Sequence, residues 1–506
     1  MKDALRTVLS GSPVSVEVLR TVLEHASSSE DWLSLCNPDV IPACVRVLKQ
    51  YSRESPILEG QKGILCLQLL SLAFQVALLT FQDDPFAFTT LSSIDPELKL
   101  TDHVLSIVSR QVQRSEELTQ STGIPQRTII PWLTSEHAGA LLNLLYRERF
   151  RLSTDRFTHP DHWNGFSILL FGIWGHMRGL GASLNPGTNG PKFLDVACRF
   201  MAVAPSNENE DSLATTVVYT MRNIAAMFGA VDLFPSIQAS PNYMSDVDTV
   251  SDTMMVVRCY VTRLSSGPPN LKLWFHLFEW AHGFVHPDIS ELMLPFFRVS
   301  YAGIWSLLDP AKDPQPMTAD RICDLVDFGG QLVAFTGNIL EAPILTRSNK
   351  DALLEIIRQS DMFALLARLL LLRLAPVTFT QKDKRNLGQL YEGLLLQIRE
   401  FGVVLEESSS STVQLFKKSF PDWLKAAYLF QELCFMSDPN TPSNKHLTSC
   451  TRFWMGTGVS MFKTQPVVDV TKCSYARCPN PALVSGMEFK CLCQSVERGR
   501  CGCNKL

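Results

Sequence analysis

Apolar residues return along most of this chain at three- and four-residue intervals, the spacing of one face of an α-helix. In SVEVLRTVLEH, Val16, Leu19, Val22 and Leu23 share a face behind a Ser12-Pro13 start signal. CNPDVIPACVRVLKQ repeats the pattern with Ile41, Cys44, Val45, Val47 and Leu48, and Pro42 stands near the expected helix start. SEHAGALLNLLYRERF gathers Leu141, Leu142, Leu145 and Tyr146 and then exits through charge. LLEIIRQSDMFALLARLLLLRLAP is apolar through two helical stretches, with a break expected at Ser360-Asp361 and a limit at Pro376. The strict alternation of half-buried strands is scarce. The pattern predicts an all-α protein.

Polar breaks separate these segments at 203–214, 236–252, 309–320, 406–412 and 437–446. The last is polar and proline-containing, and it marks the expected domain boundary. Residues 1–436 then form a helical domain and 437–472 a linker with one short helix, weakened by Gly456 and Gly458. Residues 473–506 form a small cysteine-rich segment. Paired helices with short connections point to an irregular armadillo- or HEAT-like array, and NPDVIPACVRVL resembles an armadillo-type helix. No fixed repeat period accompanies it, and a less regular bundle is the competing arrangement.

Residues 64–81, ILCLQLLSLAFQVALLTF, carry no charge over 18 positions, close to the lower limit for a membrane span. Gln68, Ser71 and Gln75 interrupt the run, and Lys62 alone supplies nearby basic charge. A buried core helix is the expectation, with membrane association as the alternative.

Composition narrows the class. Hydrophobic residues make up 46% and charged residues 19%, which excludes wholesale disorder. The net charge of −4 argues against a broad nucleic-acid-binding surface. MKDALRTVLSGSP lacks the apolar run of a signal peptide. Eight cysteines upstream of the tail lie far apart among apolar neighbours and read as buried small hydrophobes in a reducing compartment, cytoplasm or nucleus.

The tail is different. Cys473, Cys478, Cys491, Cys493, Cys501 and Cys503 fall within the final 34 residues. Thiolates bind zinc tetrahedrally, and a short spacer lets two reach one ion from a knuckle-like turn. Cys473-x4-Cys478 has that spacing, and Pro479-Asn480-Pro481 favours a turn after it. A segment this small has little core of its own, so a metal would supply the missing folding free energy.

CSYARCPNP, a spacer, and FKC with further cysteines resemble the MYND-type zinc finger, and more narrowly the C-terminal MYND fingers of many large helical fungal proteins. The resemblance covers residues 473–506. It implies two zinc ions held by seven cysteines and one histidine, the first and third ligand pairs sharing one ion. Cys473 and Cys478 match the first pair, and Cys491 the start of the second. The match then departs: Cys493 follows Cys491 after one residue instead of two, and Cys501 and Cys503 are separated by one instead of three. The terminal histidine and cysteine are missing, and the last histidine of the chain is His446. Four thiolates, Cys473, Cys478, Cys501 and Cys503, would complete one site. Cys491 and Cys493 would need further donors such as His446, Cys450, water or another chain. By resemblance, such a finger binds proline-containing peptides on protein partners.

Three other constellations bear on chemistry. FHLFEWAHGFVHPD offers His276, Glu279, His282 and His286, and helical spacing would set Glu279, His282 and His286 on one face. A catalytic metal needs such donors to converge with an open position, and the stretch lacks the HExxH order. Its aromatic neighbours favour a packed helix. THPDHW, with His159, Asp161 and His162, reads as a polar turn before a helix. NPGTNGPK has glycines and Lys192 but lacks the phosphate-loop spacing, and a plain loop is expected there. No nucleophile elbow, kinase set or SET methyltransferase motif is present. The expectation is a non-enzymatic protein-interaction protein with a structural zinc finger. A metal-dependent enzyme at Glu279/His282/His286 and a membrane-associated protein are the alternatives.

Overall fold

The computed structural model describes residues 2–10, 13–26, 34–80, 132–152, 165–178, 184–204, 208–227, 249–266, 270–285, 290–309, 315–407 and 420–462, with a few single positions between them. Of the described residues 83% are helical and none lies in a strand. The chain is an all-α helical array, as its periodicity predicts. It divides into two compact units, Met1–Arg263 with His276–Phe284, and Leu264–Phe275 with Val285–Leu506.

The first unit contains α1 (Lys2–Leu9), α2 (Val16–His25), α3 (Val40–Tyr51), α4 (Gln61–Thr80), α5 (Ser135–Arg147) and the single turn α6 (Arg149–Leu152). It continues through α7 (Phe166–Met177), α8 (Pro186–Val203), α9 (Glu208–Met227) and α10 (Thr249–Ser265). Helix α11 (Leu271–Ala281) contributes its second half. Each of α1 to α9 packs on helices close to it in chain order, the local stacking of a helical array. Ser15 and Thr134 cap α2 and α5 by accepting from the backbone N–H of Val18 and His137.

Helix α7, FSILLFGIWGHM, is apolar on every side and buried along its whole length, as an all-round hydrophobic helix must be. Its first turn is held by a carboxylate from α9: Glu210 accepts from Gly165 N (2.6 Å) and Ser167 N (3.3 Å). Gly165 has φ +80, and a Cβ there would lie 2.4 Å from both Ser71 Oγ and Gln75 Nε2 of α4, so only glycine fits. Ser71 Oγ in turn donates to the Gly165 carbonyl at 2.8 Å. Ser71, one of the polar interruptions of α4, is therefore a joint to the start of α7. By length and composition Gln61–Leu79 could cross a membrane, and 72% of that window is buried among protein.

The stretch expected to be a loop, NPGTNGPK, instead opens α8. Asn185 caps the helix by accepting from Gly187 N at 2.8 Å, and Pro186 takes the first helical position, where its missing N–H costs nothing. Lys192 Nζ donates to Asn143 Oδ1 of α5 at 3.0 Å.

The second unit contains α12 (Ser290–Leu308), α13 (Ala319–Glu341), α14 (Arg347–Gln359), α15 (Met362–Leu371), α16 (Gln381–Glu407), α17 (Phe420–Met436) and α18 (Pro442–Phe462). The expected break at Ser360-Asp361 is present: α14 ends at Gln359, and Asp361 adopts φ +52. Trp305 of α12 fixes this corner by donating to the Ser360 carbonyl at 2.7 Å.

Within the segment expected to be a linker, Pro442–Phe462 forms a helix of 21 residues that packs on α16 and α17. Its anchor is Trp454, stacked on Trp423 of α17 with centroids 4.0 Å apart and donating Nε1–H to the Trp423 carbonyl at 3.0 Å. Gly458 permits that approach, because a Cβ there would lie 2.1 Å from Trp423 Nε1. Tertiary packing offsets the weak helix propensity that the two glycines predicted. Gly458→Ala is accordingly expected to lower stability by about 1–3 kcal/mol through overpacking. Gly456 has nothing within 4 Å of its would-be Cβ. Gly456→Ala is expected to raise stability by roughly 0.5–1 kcal/mol through helix propensity and unfolded-state entropy. Urea midpoints of the two variants, shifted in opposite directions, check both.

Candidate functional site

Cys473, Cys478, Cys491, Cys493, Cys501 and Cys503 lie outside the described residues, as do His159, Asp161, His162 and His286. The cluster that the structure does place is His276, Glu279 and His282. All three sit in the part of α11 and the following 3-10 turn (His282–Phe284) that belongs to the first unit. Glu279 is 6% exposed, and its Oε2 receives Arg222 Nη1 of α9 in a short charged hydrogen bond. His276 Nδ1 stands 3.6 Å from the same oxygen, and its ring faces Tyr219 at 6.0 Å. His282 has a different partner: its Nδ1 donates to the Phe278 carbonyl at 3.2 Å, and its ring stacks on Phe278. Burial pushes the His282 pKa down. Glu279 and His282 are thus engaged by different partners. Among the described residues no group of three or more His, Cys, Asp or Glu is placed to hold a metal ion.

Beside this cluster lies a charge network that sequence reasoning missed. Arg199 and Asp195 of α8 are both fully buried, one turn apart in KFLDVACRFMAV. Arg199 donates Nε to Asp195 Oδ1 (3.1 Å), and Nη1 and Nη2 to the two oxygens of Asp252 in α10 (2.7 and 2.9 Å). Asp195 also receives Trp280 Nε1 at 2.9 Å and faces Arg149 Nε at 3.2 Å. The Arg149 guanidinium lies 4.0 Å from the ring centroids of both Tyr146 and Phe150. Two cations and two carboxylates balance, which is how buried charge survives at all. A second pair, Arg263 to Asp211 at 2.5 Å, joins α10 to α9. The arrangement holds helices together and presents no open acid or base. The sequence clue was Asp195 and Arg199 within the otherwise apolar stretch Phe193–Val203, although nothing local names their distant partners.

The eight described cysteines are all free thiols, and Cys44, Cys66, Cys198 and Cys450 are buried. Burial pushes the Cys198 thiol well above its ordinary value, and a neighbouring Cys44 helps to do the same to Cys66. Such thiols are poor nucleophiles and poor metal ligands.

In the second unit, Tyr391 of α16 and His446 and Cys450 of α18 meet at the C-terminal end of α15. His446 Nε2 donates to the Leu370 carbonyl at 2.9 Å, and the Tyr391 hydroxyl donates to the Leu369 carbonyl at 3.2 Å. Both carbonyls are among the last four of α15; that of Leu369 also accepts from the backbone N–H of Leu372. The Cys450 sulfur lies 3.4 Å from His446 Nε2, and the Tyr391 ring centroid 4.7 Å from that of His446. Burial lowers the His446 pKa to about 4 and raises the Cys450 thiol to about 12. Both are neutral near pH 7, so they form no thiolate–imidazolium pair.

No protein-family model matches the chain, and no curated protein or solved structure matches it.

The His446 geometry sets a pH dependence. Its folded pKa of about 4 lies below the usual value of 6.5, so the unfolded chain takes up the proton first. The stability that neutral His446 contributes is present above pH 6.5 and is lost as pH falls toward 4. Between pH 7 and pH 5 the loss is about 2 kcal/mol. His446→Gln is expected to remove that part of the slope when urea midpoints are compared at the two pH values. An unchanged slope in the variant contradicts the assignment.

Proposed function

We propose that this protein is a non-enzymatic interaction scaffold: a helical body carrying a structural zinc site in its cysteine-rich tail. The observation that carries the reading is the crowding of six cysteines into the last 34 residues, opened by the Cys473-x4-Cys478 knuckle spacing. Zinc there is a fold-forming ion that ties short turns together. Its ligands are Cys473, Cys478, Cys501 and Cys503, with Cys491 and Cys493 as further thiols. The MYND resemblance adds the partner class, protein segments that contain proline. Helical arrays are a common platform for protein partners, which supports this reading.

The body's own titratable groups favour the same reading over metal-dependent catalysis at Glu279, His282 and His286. Glu279 is engaged by Arg222, and His282 is engaged by a backbone carbonyl. The apolar helix α4 is joined to α7 through Ser71 and Gly165, which favours a core role over membrane association. Cytoplasm or nucleus, where thiols stay reduced, is the compartment that fits free cysteines and a thiolate site.

Zinc analysis of the purified full-length chain tests the reading. Protein prepared under reducing conditions with zinc supplied is expected to retain the metal through exhaustive dialysis. The Cys473→Ser/Cys478→Ser variant is expected to lose it. A metal-free wild type contradicts the zinc-bearing scaffold.

A further inference from the structure

Helix α17 buries one face, with Trp423, Ala426, Ala427, Phe430 and Leu433, and packs on α15 and α18. It leaves other large apolar side chains in solvent. Phe435 is 92% exposed, more than any other large apolar side chain among the described residues, and Met436 and Tyr428 are 58% and 54% exposed. Met455 of the neighbouring α18 is 42% exposed. Large apolar side chains scattered singly need no partner, whereas a patch of several hundred Å² marks an interaction site.

This face is symmetric about its own middle. From Tyr428 to Phe435 the chain reads YLFQELCF, and its residues run exposed, half-buried, buried, exposed, exposed, buried, half-buried, exposed. Read from either end, an exposed aromatic comes first, two apolar residues lean into the fold, and the polar pair Gln431 and Glu432 holds the centre. Tyr428 and Phe435 are two helical turns apart, about 10 Å along one side of α17. In an isologous two-fold contact, residue i of one copy meets j of the other, and j meets i. An axis between Gln431 and Glu432 therefore sets Tyr428 against Phe435 of the other copy, twice. It also sets Gln431 opposite Glu432 of the other copy, where the amide N–H can donate to the carboxylate.

Area supports the same occupant. At roughly 200 Å² for a residue of this size, the four exposed side chains present about 500 Å² on one copy. Two copies facing each other bury about 1,000 Å², the lower bound for a specific interface. A heterologous partner meets the patch once, while a two-fold contact uses it twice.

We propose that the Tyr428–Phe435 face of α17, with Met436 and Met455, is the contact between two copies of this chain, related by a two-fold axis at Gln431 and Glu432. The contact does not depend on the zinc site. A dimeric scaffold presents each of its partner-binding sites twice, which raises avidity without any new contact.

Sedimentation velocity and light scattering of the full chain, under reducing conditions and over a wide concentration range, test the contact. The expected species is a dimer of twice the chain mass. Phe435→Glu is expected to leave the urea midpoint unchanged and to weaken the dimer at least about tenfold. Gln431→Lys reduces the negative charge gathered at the axis and is expected to tighten the dimer by roughly two- to fivefold. Gln431→Glu adds to that charge and is expected to loosen the dimer by a similar factor. Cys473→Ser/Cys478→Ser is expected to remain dimeric, which separates this contact from one made through the tail. A wild type that stays monomeric overturns the proposal, as does a monomer that binds a polyproline peptide through Phe435. A dimer indifferent to Phe435→Glu and to both Gln431 variants forms through another surface and overturns it as well. Gln431 variants that shift the equilibrium in the same direction contradict the two-fold register.

Discussion

A guanidinium fully removed from water, Arg199, lies against the carboxylates of Asp195 and Asp252, and much of the first unit is arranged around satisfying it. An arginine in such a place is tolerated only when paired and hydrogen-bonded, and losing one partner leaves an uncompensated charge at a cost of roughly 3–5 kcal/mol. The requirement reaches through sequence. Asp252 brings α10 to α8, and Trp280 brings the second half of α11 to the same Asp195. Arg149 then balances the charge from the turn after α5. Apolar burial drives the stacking of α1 to α9, while these directional contacts determine how α10 and α11 join it.

The same use of polar groups recurs in both units. Buried helix ends expose N–H and C=O groups that must find partners. Glu210 supplies acceptors to the start of α7, and in the turn before α4 Glu148 supplies its two oxygens to the N–H groups of Ile57 and Leu58 (2.8 and 2.9 Å). His446 and Tyr391 supply donors to the end of α15. Residues that would draw attention as catalytic candidates are thereby engaged in closing the fold.

Much of the fold was legible because amphipathic periodicity is local. α2, α3 and α5, and the break between α14 and α15, stand where apolar spacing and start or stop residues put them. Local rules misread Asn185–Lys192, where glycine and proline signalled a loop although an Asn cap followed by Pro also signals a helix start. They also underestimated α18, because the stabilising partner of Gly458 is Trp423, 35 residues upstream. The α11 cluster was legible as a set of residues and illegible as geometry, since Arg222 lies 57 positions from Glu279. The charge network was illegible for the same reason, Asp252 and Arg199 being 53 residues apart.

The dependence of the first unit on its buried charges is most directly read from a double-mutant cycle on Arg199 and Asp252, followed by urea unfolding of the full chain. Asp252→Asn and Arg199→Met should each cost about 3 kcal/mol or more, because each strands a buried charge. The double variant should cost less than the sum, with a coupling of about 2 kcal/mol, as expected for groups in direct contact. Small, additive losses would contradict a unit organised around Arg199.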